Sequence, residues 1–110
     1  LKASFISIGN SEDIVEAFNK ARDDEYKEVL EKCEDFFYEI EKETKRQNYT
    51  FPEVEENEYE YNKIVEWYKK VTERDFFTAS LKTSTGEQLE KCKDILDVFC
   101  DKVYELNGER

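Results

Sequence analysis

Three sets of residues in this 110-residue sequence are of types that do chemistry: the cysteines Cys33, Cys92 and Cys100, the carboxylate run Glu53-x-Glu55-Glu56-x-Glu58-x-Glu60, and the bases Lys63, Lys70 and Arg74. A fourth set is missing. There is no histidine, so Ser-His-Asp and Cys-His nucleophiles, His-ligated zinc and carboxylate-histidine di-iron sites are all excluded. Cys92 and Cys100 are eight residues apart on one predicted helix, about 12 Å, too far for a disulfide or a shared small metal centre. All three cysteines fall on or beside apolar positions, the pattern of free thiols buried in a reducing compartment. A redox thiol needs an exposed, electropositive setting, and this setting is acidic. Clustered carboxylates suit hard cations such as Ca2+ or Mg2+, but the alternating ligands and central Gly of an EF-hand are absent. The acids therefore read first as a solvated helix start, where the helix dipole favours them. Lys63, Lys70 and Arg74 recur at seven and four, one face of a helix, with Lys69 beside them. They suit either a small anion or i,i+4 pairing with Glu66 and Glu73.

The composition narrows the classes further. Acids outnumber bases 28 to 17 and the formal charge is −11, which repels phosphate backbones and anionic lipid and so disfavours nucleic acid and membrane as partners. A disordered acidic tail is excluded as well, because 15% of the residues are aromatic and such tails are poor in aromatics. One Pro and three Gly leave room for long regular elements. No run approaches the ~20 apolar residues of a membrane span and no signal segment is present, so a cytoplasmic location is expected. The sequence has no Met and opens on Leu1, which suggests an excised domain, a processed chain or an incomplete N-terminus.

These residues must be positioned by helices. Residues 1–9 (LKASFISIG) alternate as a β-strand, yet nothing later resembles a second strand, so they read as the remnant of an upstream α/β portion. Asn10 or Ser11 suits a helix cap. From there Ile14, Phe18, Ala21, Val29, Cys33, Phe36 and Ile40 keep steps of three and four, predicting one helix over 11–46, about 54 Å long. Arg22-Asp23-Asp24-Glu25 is its weak spot, where an alternative break into two helices would fall. A turn follows, in which Pro52 is expected to hold Phe51 out of the helical region. A second helix is predicted over 53–73, with Val54, Tyr61, Ile64, Val65, Tyr68 and Val71 inward and Trp67 beside them. Residues 74–86 read as a loop with Phe76 and Phe77 tucked under something. A third helix over 87–106 carries Leu89, Cys92, Leu96, Phe99, Val103 and Leu106, and Asn107-Gly108 ends it. The expected fold is all-α: an antiparallel three-helix bundle at 10–110 with one long first helix, preceded by the strand. The two shorter helices reach only half of the first, leaving Ile14, Val15, Phe18 and, at the margin, Tyr26 without a partner in the chain.

Several spaced segments carry a resemblance. Phe18-Asn19-x-Ala21-Arg22-x-x-Glu25-Tyr26, Phe51-x-Glu53-x-Glu55-Glu56-Asn57-Glu58, Lys63-Ile64-x-x-Trp67 and Arg74-Asp75-Phe76-Phe77 together resemble the helical half of the N-terminal region of ChrB-type chromate-resistance proteins, over residues 14 to about 103. The resemblance implies a bacterial cytoplasmic protein tied to chromate response, often a regulator, with an α/β portion ahead of the helices. It marks Arg22, Glu25, Tyr26, Arg74 and Asp75 as recurring polar positions without assigning them roles, and an ion pair of Arg22 with Glu25 holding helices in register is one reading of them. With Lys63 and Lys70 these are the candidate anion or interaction positions. The expected function is a non-enzymatic regulatory or protein-interaction module, without catalytic residues, cofactor or metal. Its expected partner is an upstream α/β portion or a second copy in a homo-oligomer, with chromate as candidate ligand. The alternatives are a metal-dependent or thiol-redox enzyme fragment and a generic helical scaffold.

Overall fold

The computed structural model describes residues 8–108, with side chains from residue 12 onward. Its elements are three helices: α1 (Ile8–Lys45), α2 (Phe51–Glu73) and α3 (Lys82–Asn107). No strand occurs among the described residues. The expected strand falls mostly on residues 1–7, outside them; Ile8 and Gly9, assigned to it from the sequence, belong to α1 instead. Helix α1 thus starts three residues before the expected position, with Asn10 and Ser11 inside it rather than capping it.

The 38 residues of α1 run unbroken through Asp23 and Asp24, about 57 Å at 1.5 Å per residue. The break considered from the sequence does not occur. Each helix packs on both others, and ring contacts give the register. Tyr26 of α1 lies 5.9 Å from Tyr68 late in α2, Phe36 further along α1 lies 6.0 Å from Tyr61, and Phe51 at the start of α2 lies 5.3 Å from Tyr104 near the end of α3. The core follows the three stripes: Val29, Cys33, Phe36 and Ile40 from α1, Val54 and Ile64 from α2, and Leu89, Cys92, Leu96, Phe99 and Val103 from α3. Leu106, expected to extend the last stripe, is exposed. A smaller cluster of Tyr26, Val71 and Ala79 sits beside the main one, and Trp67 and Tyr68 pack against both.

The helix ends show their local causes. Gln47 adopts φ 56° as α1 stops, and the Asn48 N–H donates back to the Glu43 carbonyl at 2.9 Å, so one left-handed residue reverses the chain. Thr50 caps α2, its Oγ1 accepting from the Glu53 N–H at 3.3 Å. Phe51 is therefore already helical, and Pro52 fits in the first turn, where its missing N–H is not needed. The expectation that Pro52 would exclude Phe51 is corrected. Helix α3 begins five residues earlier than predicted because Gly86 does not break it. A Cβ there would stand 2.8 Å from Tyr68 Oη, and that hydroxyl donates to the Lys82 carbonyl at 3.0 Å. Gly86 is the opening through which α2's tyrosine reaches α3. Gly108, with φ 69°, ends α3 as expected.

The molecule is elongated, 74 × 23 × 17 Å. α1 is its longest element and exceeds α2 by 15 residues, about 22 Å.

Candidate functional site

The polar positions singled out in the sequence meet where the 74–81 segment joining α2 to α3 crosses α1. Two aspartates hold that segment. Asp75, buried at 7% exposure, accepts from the Tyr26 hydroxyl at 2.8 Å and from the Ala79 N–H at 2.8 and 2.9 Å. Its carboxylate thereby ties the segment both to itself and to the core face of α1. Tyr26 is fully buried. Burial first, then the Asp75 carboxylate on its hydroxyl, pushes its phenol well above the usual tyrosine range. Asp23 accepts from the Ser80 hydroxyl and the Leu81 N–H, both at 2.9 Å. The residue that looked like a helix break is an anchor, presented by α1 to a loop 58 residues away.

A third anchor is ionic. Glu25 takes Arg22 Nε at 2.6 Å and, on its other oxygen, Arg74 Nη2. Arg22 and Glu25 lie on the same helix and cannot by themselves hold two helices in register; the link between elements is Glu25 with Arg74. Charge-assisted bonds of this kind are the stronger class, although Arg74 is about half exposed, which screens its share.

The segment carries Phe76 and Phe77. Phe18 of α1 meets them with ring centroids at 5.9 and 5.4 Å, the second edge-on, and the Arg22 guanidinium lies over the Phe18 ring, 4.6 Å from its centroid. Phe18 thus has partners in the chain, contrary to expectation, and the phenylalanine pair is not tucked away, also contrary to expectation. Phe76 is 77% and Phe77 48% exposed, with Ile14 59% exposed nearby on α1. The physical reason is that Phe18 sits on the part of α1 that α2 and α3 do not flank, so the pair covers one ring and little covers the pair.

Of the seven candidate positions, Arg22, Glu25, Tyr26, Arg74 and Asp75 are brought together; Lys63 and Lys70 are not. Those two line an open depression of about 440 Å3 with Tyr59, Asn62, Glu66 and Trp67. Lys63 reaches Glu60 at 3.7 Å and Glu66 is taken by Lys69 at 3.9 Å. Arg74, expected to continue this stripe, turns to Glu25 instead. Residues that sequence reasoning passed over are Asp23, Ala79 and Ser80, whose roles depend on contacts across the chain that no spacing reveals.

The other chemistry-bearing sets are accounted for by packing. Cys33, Cys92 and Cys100 are free thiols, the first two buried and the third half-buried. Cys33 and Cys92 face one another from α1 and α3, with Cys92 Sγ 4.0 Å from the Cys33 carbonyl, and the Cys33 thiol together with burial pushes the Cys92 thiol up. Burial, then Glu58 and Asp97, raises Cys100 as well. Cys92 and Cys100 are thereby weak nucleophiles, while Cys33, shifted down by its hydrogen bond with Cys92, is sealed in the core. Among the described residues no group of three Cys, Asp or Glu is placed to hold a metal ion. In the acidic run, Glu53 is raised from the usual carboxylate range by burial and by its neighbours Glu43, Glu56 and Glu39. No helix is long and apolar enough to cross a membrane among the described residues.

Fold and site define an all-α domain whose polar network fixes a short interhelical segment against one long helix. The family described as Protein ChrB, N-terminal, matches residues 1–110, the whole chain. The chain belongs to that family, and membership points to a domain of a chromate-response protein. No curated protein and no solved structure matches it.

Proposed function

We propose that this chain is a non-enzymatic interaction module of a cytoplasmic chromate-response protein: an antiparallel three-helix bundle that presents an aromatic patch at the uncovered end of its long first helix. The observation that carries the reading is the contrast within the 74–81 segment. Asp75, Tyr26, Asp23 and the Glu25 ion pairs hold its backbone, while Phe76 points most of its ring to solvent. Exposed aromatic side chains on a backbone fixed in advance lose little entropy when a partner covers them, which is the character of interface hot spots. The thiols and carboxylates lend an enzymatic reading less support, since Cys33 and Cys92 are buried in the core, Cys92 and Cys100 are shifted up, and the acids are spread along helix faces.

The experiment is a chromate-responsive reporter in cells that depend on the full-length protein containing this domain. Phe76→Ser combined with Phe77→Ser should abolish the response while protein level and helical circular dichroism are preserved. An unchanged response with normal protein level would remove the interaction reading. Chromate itself is the second candidate, through the Lys63 and Lys70 depression with its flanking Trp67. Saturable chromate or sulfate binding, lost in a Lys63→Ala, Lys70→Ala double variant, would support it. The expected result is a weak response that follows ionic strength alone, because a chain of charge −11 repels divalent anions.

A further inference from the structure

We infer that Cys33 and Cys92 are an oxidation site: a hydroperoxide converts their two thiols into a disulfide that ties α1 to α3 through the centre of the core. The inference goes beyond the interaction-module reading and is independent of it. Spacing along α3 excludes a bond between Cys92 and Cys100, but packing sets Cys92 against a different partner. Cys33 and Cys92 are 1% and 0% exposed, lie on facing helices and belong to one core cluster. Cys92 Sγ comes within 4.0 Å of the Cys33 carbonyl oxygen, so at this level a side chain of α3 reaches the backbone of α1. The two thiols also hydrogen-bond to one another. Sulfurs already in contact, on helices that approach this closely, need a side-chain rotation and a small shift to reach the ~2.05 Å of a disulfide.

The hydrogen bond assigns the roles. It lowers Cys33 and holds Cys92 up, so Cys33 supplies the thiolate. Its sulfur attacks the terminal oxygen of the hydroperoxide and the O–O bond breaks. The departing alkoxide, or hydroxide from hydrogen peroxide, takes up the proton that Cys33 released, and Cys33 is left as a sulfenic acid. The Cys92 sulfur then attacks the Cys33 sulfur, the S–O bond breaks, and hydroxide leaves as water with the Cys92 proton. Each thiol is oxidised by one electron and the peroxide takes both. Because Cys92 is already in place, the second step is intramolecular, which stands in for the electropositive setting that an isolated redox thiol needs. Burial selects the oxidant. The pair is reached through brief openings of the core, which admit a small uncharged peroxide far better than a charged oxidant. The bond joins positions 59 apart and encloses all of α2, so it opposes every unfolding route that separates α1 from α3.

Hydrogen peroxide added to the reduced 110-residue chain carrying Cys100→Ser, which removes the third thiol, tests the inference. The expected product is a chain lighter by two hydrogens, whose peptide map joins residues 33 and 92 and whose Tm is raised by about 10 °C. Adding Cys92→Ala keeps the core apolar and removes the resolving thiol. The same treatment should then stop at a Cys33 sulfenic acid, trapped by dimedone, with no rise in Tm. Should that variant lose its helical circular dichroism, the peptide map of the Cys100→Ser chain decides alone. A folded chain that keeps both thiols after peroxide overturns the inference. So does a bond that forms only in urea-unfolded chain, or one that leaves Tm unchanged or lower.

Discussion

Tyr26 shows how much one residue here depends on a distant one. Its hydroxyl is sealed from water and has the Asp75 carboxylate as its acceptor. Tyr26→Phe removes that donor, yet Asp75 keeps its two bonds from the Ala79 N–H, so the expected loss is about 1–2 kcal/mol, measured by urea unfolding at neutral pH. The phenol also makes stability depend on alkali. A group whose folded pKa lies above its unfolded value contributes stability that is complete below the unfolded pKa of 10.0 and declines as pH rises past it. Unfolding curves should therefore show the native chain losing stability above about pH 10 more steeply than the Tyr26→Phe variant; parallel curves would deny the phenol this role. None of this is readable from spacing. The sequence shows Tyr26 beside the apolar stripe and Asp75 in a loop, but their meeting across a separation of 49 positions depends on how α2 packs back on α1. Backbone strain is equally local. Gln47 at φ 56° occupies a conformation that glycine adopts without a Cβ penalty, so Gln47→Gly should raise stability by about 1 kcal/mol, visible as a higher melting temperature.

At the level of elements, three helices and their inward stripes are legible because steps of three and four survive along each. The boundaries are less so, and each discrepancy has a contact behind it. Gly86 looks like a terminator, but its position is set by Tyr68 crossing to the Lys82 carbonyl. Asp23 looks like a breaker in α1, but its carboxylate is occupied by Ser80 and Leu81. Phe76 and Phe77 look like core residues that need cover, yet both pack on Phe18 and remain largely exposed. The Gly86 contact yields a test by paired substitution. Alanine is preferred over glycine within a helix by about 1 kcal/mol, yet Gly86→Ala should destabilise the chain, because its methyl would press on the Tyr68 hydroxyl. Removing that hydroxyl leaves the ring carbon Cζ at 3.5 Å from the new Cβ, an ordinary contact. Gly86→Ala combined with Tyr68→Phe should then be more stable than the sum of the two single changes by about 1 kcal/mol or more. Additive losses would show that Gly86 is retained for another reason.

Across the whole molecule, charge is uneven. Exposed pairs such as Lys20 with Asp24 and Lys93 with Asp97 lie along helix faces and contribute little each, while the acids around Glu53 repel one another. Millimolar Ca2+ or Mg2+ should leave the melting temperature nearly unchanged once ionic strength is matched, since only a ligand with differential affinity for the folded state stabilises it. A specific rise of several degrees would reveal a cation site among those carboxylates. The main core and the small cluster around Tyr26 are joined at Trp67 and Tyr68, which touch both. Trp67 is the only tryptophan in the chain, and its indole rests on the seam. Its emission wavelength is therefore an optical gauge of how firmly the two clusters are coupled. If the end bearing the anchored segment opens before the rest, tryptophan emission will shift at a lower denaturant concentration than the helical dichroism falls. A single shared midpoint means that the aromatic end and the main bundle melt as one cooperative unit.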